Sequence, residues 1–426
     1  MESVRYFSIA VCALLASVMI GGAAAQEGDL LKRGNLAHFK LTPHRMTPPR
    51  VVKNGQAHAR QGVPVDSLVN WNDHFFADGV DRDGNPNRHW YTNTIGSPPE
   101  HGGTTLINVN IIPVILDLRN ADGSPRFVNG QPLVSSAEPF VGPVLNSPIF
   151  GYSNWSSSSV PTQFIDAVQR AAYFSRAKTD WHTLFVPSVK PARRMILTPE
   201  SYGGYLNDDG SCCLLIYLWA PTTDTLMFPP TPTDTTTIMG AAENAGDITT
   251  KDISVFLFYN TVLVDSTSSF LSYHSWDFEP ADTIGGQDKY YVMTWATWFS
   301  QGLFAPPYDT VEDVLAISHE LAEIANDPFP SIDLAFDIDE IHNIVPWWLA
   351  PNGFCADRIE VGDGISLQPN SAYPITMNGL TYHPQNITLI PWFKREIPSS
   401  ALHNAYSYPD ESVITALSPP ERVSCQ

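Results

Sequence analysis

Residues 317–327 read Ile-Ser-His-Glu-Leu-Ala-Glu-Ile-Ala-Asn-Asp. His319 and Glu323 stand four positions apart, the spacing at which two side chains of one helix can clasp a single cation. Glu320 follows the first of them, where zinc hydrolases keep the carboxylate that takes a proton from metal-bound water. At about 100° per residue, Val314, Ile317, Leu321 and Ile324 share one stripe. Glu323, Asp327 and Glu320 then lie roughly 40°, 80° and 100° round from His319, away from that stripe. One face can be buried while the other carries an imidazole and three carboxylates. Carboxylates at i and i+4 repel unless a cation sits among them, and no Lys or Arg occurs between Glu312 and Arg358. The competing reading is an ordinary charged helix with a solvated polar face.

A second acidic group follows in Cys355-Ala-Asp-Arg-Ile-Glu-Val-Gly-Asp-Gly-Ile365. Gly362 permits a tight turn that aims Glu360 and Asp363 the same way. Either could supply the third ligand that a zincin-like site takes from outside its helix; otherwise the two are a plain turn pair. His274, in Ser-Tyr-His-Ser-Trp, is a further candidate, as a fourth ligand or transition-state donor, against a hydrogen-bonded core histidine. Asp327, at the end of the helix, is another. His383 reads as structural. Residues 81–87, Asp-Arg-Asp-Gly-Asn-Pro-Asn, resemble the start of a calcium loop but lack Gly at its sixth position and Glu at its twelfth, and read as a turn. No Gly-x-Ser-x-Gly elbow occurs, which leaves serine chemistry without support.

These groups need a scaffold. Segments around 106–118, 212–219, 252–264 and 289–298 alternate or run apolar with β-branched and aromatic residues and read as strands, some buried on both faces. Two segments read as helices: 162–177, and 309–327, where Thr310 and Asp313 have capping-box spacing and Pro328 supplies a stop. The expected class is α+β, a strand-rich mixed sheet with a motif-bearing helix and long loops, in which a zincin-like arrangement can be built.

The chain opens with a short charged region, an apolar run and Ala-Ala-Ala-Gln, which predicts a signal peptide over 1–25 with cleavage before Gln26. No later segment is long and apolar enough to predict a membrane span. Residues 26–100 read as a basic extended leader or pro-segment with an N-terminal extension, and 101–426 as a single α+β metal-binding domain. The net charge is −20, yet residues 26–60 hold seven Lys/Arg against two acids, so residues 61–426 carry −25. Such a body repels phosphate backbones and anionic headgroups, which argues against nucleic acid as a partner. Export to an extracellular or periplasmic space predicts that Cys212, Cys213, Cys355 and Cys425 pair as disulfides. Three connectivities are open. A bridge between adjacent cysteines reads as strained, so Cys212 and Cys213 are each expected to reach Cys355 or Cys425. Trp276, Trp295, Trp298, Trp347 and Trp348 can line a sugar or peptide cleft or fill the core.

Several stretches carry a resemblance in chain order. They are Ser147–Phe174, Trp181–Pro187, Val255–Val264, Ser272–Trp276, Leu315–Pro328, Arg358–Ile365 and Met377–Phe393. The sequence resembles bacterial secreted proteins that contain His-Glu-x-x-Glu and are predicted to be metallopeptidase-like, with a more distant likeness to the EXORDIUM, or phosphate-induced, proteins. The likeness runs from about Leu106 to about Cys425, and Pro384 and Gly364 depart from the group's usual residues. It implies a site built on His319, Glu320, Glu323 and the Glu360–Asp363 turn, and a family histidine at His274.

Together these readings predict a secreted metal-dependent hydrolase, most plausibly peptidase-like, acting on an extracellular peptide, protein or cell-wall substrate. Its cofactor would be one divalent ion, zinc first, with Mn²⁺ or Ca²⁺ favoured by the extra carboxylate. The alternative is a non-catalytic extracellular or cell-wall-associated binding protein with a structural cation site.

Overall fold

The computed structural model describes residues 31–33, 36, 65–81, 84–155, 160–228, 235–265, 268–281, 286–330, 345–398 and 402–417. The signal peptide, most of the basic leader and Cys425 lie outside the described residues.

An eight-stranded mixed sheet organises the molecule. Its strands are β1 (Val65–Asp66), β2 (Thr104–Leu118), β3 (Val134–Ser136), β4 (His182–Val189), β5 (Arg193–Leu197), β6 (Asp252–Tyr259), β7 (Ser272–Glu279) and β8 (Asp288–Trp298). The spine runs β5-β2-β6-β8-β7. β2, β6 and β8 are mutually parallel and β7 closes the edge antiparallel to β8, pairing His274 with Thr294. Parallel strands covered on both sides read as continuous apolar runs, and β6 is the clearest case. Ile253, Val255 and Leu257 face one core while Phe256 and Phe258 face the other, the two-residue alternation of a pleated strand.

The first core lies between this sheet and two helices, α1 (Phe164–Ala172) and α2 (Leu315–Asn326). The second lies between the sheet and a five-stranded sheet that includes Tyr202–Leu206, Leu215–Trp219 and Thr261–Val264. The apolar run expected as one strand over 252–264 therefore serves two sheets. It breaks at Asn260, whose φ of 42° is a left-handed conformation that asparagine tolerates. The fold is α+β, as expected, with a parallel centre. Among the described residues no helix is long and apolar enough to cross a membrane.

The core begins before residue 101. A hairpin of Asn70–Val80 and Pro86–Ile95 packs against α2, and its Trp71, Phe75, Trp90 and Ile95 belong to the first core. Beyond its strands, Asn85 N–H donates to Asp81 Oδ1 and Gly84 N–H to the Asp81 carbonyl, while residues 82 and 83 of the stretch read as a turn lie outside the described residues. The five tryptophans that could have lined a cleft are all buried.

Two expectations are corrected. Cys212 and Cys213 are bonded to each other, across a cis peptide bond with Cα atoms 3.0 Å apart; a cis bond shortens the Cα spacing and brings neighbouring side chains to the same side. They therefore do not reach across to Cys355, which is itself disulfide-bonded. The capping box also does not form. α2 starts at Leu315, with no side-chain cap at Val314. Asp313 takes a left-handed φ of 34° and turns its carboxylate across the fold, accepting the His383 N–H at 2.8 Å.

Candidate metal centre

α2 has no solvated face. Val314, Ile317, Leu321 and Ile324 sit in the first core as the periodicity requires. The opposite side meets His274 of β7, the Glu360–Asp363 turn and Gln385, and His319 is only 8% exposed while Glu320 and Glu323 are 2% exposed. A buried polar face must be satisfied by something other than water.

Two imidazoles frame this face, and each is held from behind. Gln385 donates its Nε2 to the Gly362 carbonyl at 2.6 Å, which turns its Oε1 to the His319 Nδ1 at 3.0 Å. His319 thus donates through Nδ1 and aims Nε2 forward. There Nε2 meets Glu323 Oε1 at 3.2 Å, Asp363 Oδ1 at 3.6 Å and Glu320 Oε1 at 3.7 Å. His274, on β7, donates from Nε2 to the Asp327 carbonyl at 3.1 Å. Its Nδ1 faces Glu320 Oε2 at 2.9 Å and Glu323 Oε2 at 3.4 Å. A metal-binding histidine commonly gives its outer N–H to a carbonyl or amide oxygen, which fixes the tautomer and points the other nitrogen at the ion. Asp327 enters through its backbone carbonyl.

The Glu360–Asp363 turn closes the other side. Asn352 Nδ2 donates to the Asp363 carbonyl at 2.6 Å, and Thr388 N–H donates to the Val361 carbonyl at 2.8 Å. Gly362 N–H donates to Glu323 Oε1 at 3.1 Å. A Cβ at Gly362 would stand 2.7 Å from the His319 Cε1, so glycine is required for the turn to approach the ring. Glu360 is 1% exposed, and neither carboxylate oxygen has a hydrogen-bond partner among the described residues. Its neighbour Arg358, also buried, brings Nε only to 3.8 Å. Arg358 is held by its backbone, whose carbonyl accepts from Trp348 Nε1 at 2.7 Å.

The electrostatics follow from packing these groups together. Burial pulls the imidazoles of His274 and His319 down, but the surrounding carboxylates outweigh it and hold both well above the ordinary histidine range. Burial raises Glu323 too, yet the charge of His319 and the His274 hydrogen bond prevail and hold it far below the carboxylate range. Glu360 and Asp363 are pushed well up, first by burial and then by the charge of Glu323.

One cavity reaches the cluster. His319, Asp363 and Gln385 form its polar end, and Leu271, Leu315 and Leu367 are among its apolar walls. Glu320 does not line it.

The structure brings together His274, His319, Glu320, Glu323, Glu360 and Asp363 as the sequence reading proposed. It adds Gln385 and Arg358, which that reading passed over. Gln385 lies in the Tyr-His-Pro-Gln stretch, where attention to His383 hid it. His383 stands outside the cluster, bonded through Nδ1 to Asp313 Oδ2 at 2.7 Å, with Glu312 Oε2 at 3.4 Å. No family model, curated protein or solved structure matches the chain.

Proposed function

We propose that the chain is an exported metal-dependent hydrolase, peptidase-like, in which a divalent cation is held by His319, Glu323 and an acid of the Glu360–Asp363 turn. The observation that carries this reading is the pair of buried imidazoles, each anchored through its outer N–H and each aiming its inner nitrogen at Glu320 and Glu323. When bound, zinc, or a harder ion such as Mn²⁺ or Ca²⁺, would acidify a water and polarise a carbonyl. Glu320 would take the water's proton at Oε1, which lies 3.7 Å from His319 Nε2. Asp363 and His319 face the cavity, and substrate would approach there. Its leucine walls suit an uncharged aliphatic group beside the bond to be cleaved. The helix-on-sheet setting of the His-Glu pair is compatible with a zincin-like arrangement, and the likeness to secreted metallopeptidase-like proteins points the same way.

A second reading, a structural cation clamp without catalysis, is favoured by one observation: Glu320 is turned toward His274 and lines no cavity. Hydrolysis of a mixed peptide pool separates the two. The hydrolase reading expects activity that chelator removes and Zn²⁺ or Mn²⁺ restores, with Glu320→Gln losing at least about 100-fold in kcat while keeping its metal. Metal-loaded wild type that cleaves no peptide, or Glu320→Gln as active as wild type, leaves the clamp.

A further inference from the structure

We propose that the cluster holds two divalent cations, bridged by Glu323. The proposal rests on the reading of this cluster as a metal centre and goes beyond it in number and geometry.

The donors separate into two sets. One comprises His319 Nε2, Glu323 Oε1 and Asp363 Oδ1, with the two oxygens 3.2 and 3.6 Å from the imidazole nitrogen. The other comprises His274 Nδ1, Glu323 Oε2 and Glu360, whose ligand atoms lie within 4.8 Å of one another. Two donors bound at about 2.1 Å to one tetrahedral ion stand about 3.4 Å apart, and the distances from His319 Nε2 to Glu323 and Asp363 and from His274 Nδ1 to Glu323 fall near that value. A single ion cannot use both sets fully, because Glu323 turns one oxygen to each histidine. That division is how a bridging carboxylate serves two metals roughly 3.5–4 Å apart.

Glu360 supplies an independent observation. It is the acid of the second set, it is 1% exposed, and among the described residues neither oxygen has a hydrogen-bond donor. A cation beside His274 would satisfy it. Charge agrees as well. Four buried carboxylates, Glu320, Glu323, Glu360 and Asp363, face one buried guanidinium, that of Arg358. One divalent ion leaves one net negative charge among them, whereas two leave one net positive charge that a metal-bound hydroxide neutralises. Each histidine has its own carbonyl or amide anchor, Asp327 for His274 and Gln385 for His319, so neither needs the other's ion to keep its orientation.

The test titrates metal-free full-length protein with Mn²⁺, reading bound metal per chain and the electron paramagnetic resonance spectrum. The expected result is two equivalents, with the spectrum of an exchange-coupled pair at saturation. His274→Ala should bind one equivalent with an uncoupled spectrum, and Glu323→Gln should lose the coupling. If His274→Ala fails to fold, the wild-type stoichiometry and coupling still decide. One equivalent with an uncoupled spectrum overturns the two-ion centre and leaves the single-ion site standing. No bound metal overturns both.

Discussion

Two acid–histidine clusters lie within a few residues of each other on the chain, and each contains a three-residue set whose ligand atoms lie within 4.8 Å of one another. In the cluster of Glu312, Asp313 and His383, the acids have protein donors. Asp313 Oδ1 accepts the N–H of Val314 and of His383, Asp313 Oδ2 accepts His383 Nδ1, and Glu312 Oε1 accepts the Gly302 N–H. In the cluster of His274, His319, Glu320, Glu323, Glu360 and Asp363, Glu320 Oε2 faces His274 Nδ1 at 2.9 Å and Glu323 Oε1 accepts the Gly362 N–H, whereas Glu360 has no donor among the described residues. Proximity is therefore a poor guide to metal binding. What separates the clusters is Glu360, because a buried acid without hydrogen-bond donors needs a cation or a proton. Asp166 makes the same point elsewhere: fully buried, it accepts from Thr162, Thr183 and His182 and needs no ion.

The comparison breaks most visibly if the two histidines are removed in turn. His319→Ala should lose metal and, under metal-saturated conditions, about 4 kcal/mol of stability. His383→Ala should keep full metal content and lose only about 1–3 kcal/mol. Metal analysis and thermal melting of both variants check this, and equal metal loss in the two would erase the distinction.

Gly362→Ala tests how closely the turn must approach the ring. The added Cβ would meet the His319 imidazole, so a loss of about 1–3 kcal/mol and weakened metal binding are expected in the same assays. A variant that binds metal as wild type does would show that the turn has slack.

The smallest effect concerns pH. The Asp313 hydrogen bond, against burial, raises the His383 pKa above its ordinary value. Its stabilisation is therefore fully present below the unfolded value of about 6.5 and is lost as pH rises through the higher folded value. The stability difference between wild type and His383→Ala should be greatest near pH 6 and shrink toward alkaline pH, measured by denaturant titration on chelated protein. A difference that grows with pH would reverse the sign.

Much of this was legible before any coordinates. The i, i+4 pair, the apolar stripe of α2 and the runs of β2, β6 and β8 are local patterns, and local periodicity reports them. The glycine at 362 signalled a turn that could bring Glu360 and Asp363 to the helix. What stayed hidden depends on tertiary packing. Nothing in the spacing of His319 and Glu320 says that their face is covered by β7 and the Glu360–Asp363 turn. His274 was named as a candidate, but its place beside Glu320 and Glu323 comes from the pairing of an edge strand, and Gln385 acts only by reaching two residues across the fold. The capping-box spacing at Thr310 misled because Asp313 found a stronger use for its carboxylate at His383. The adjacent cysteines misled because a bridge between neighbours was read as strained, whereas Cys212 and Cys213 are bonded to each other.

The claim that the buried carboxylates of α2 and its facing turn need a cation is tested most directly by the metal content of purified wild-type protein and its melting response to chelator. The expected result is stoichiometric divalent metal, a melting temperature lowered by roughly 5 °C or more on chelation, and recovery on adding Zn²⁺ or Mn²⁺. Metal-free protein that melts identically with chelator and with added Zn²⁺, Mn²⁺ or Ca²⁺ would contradict it.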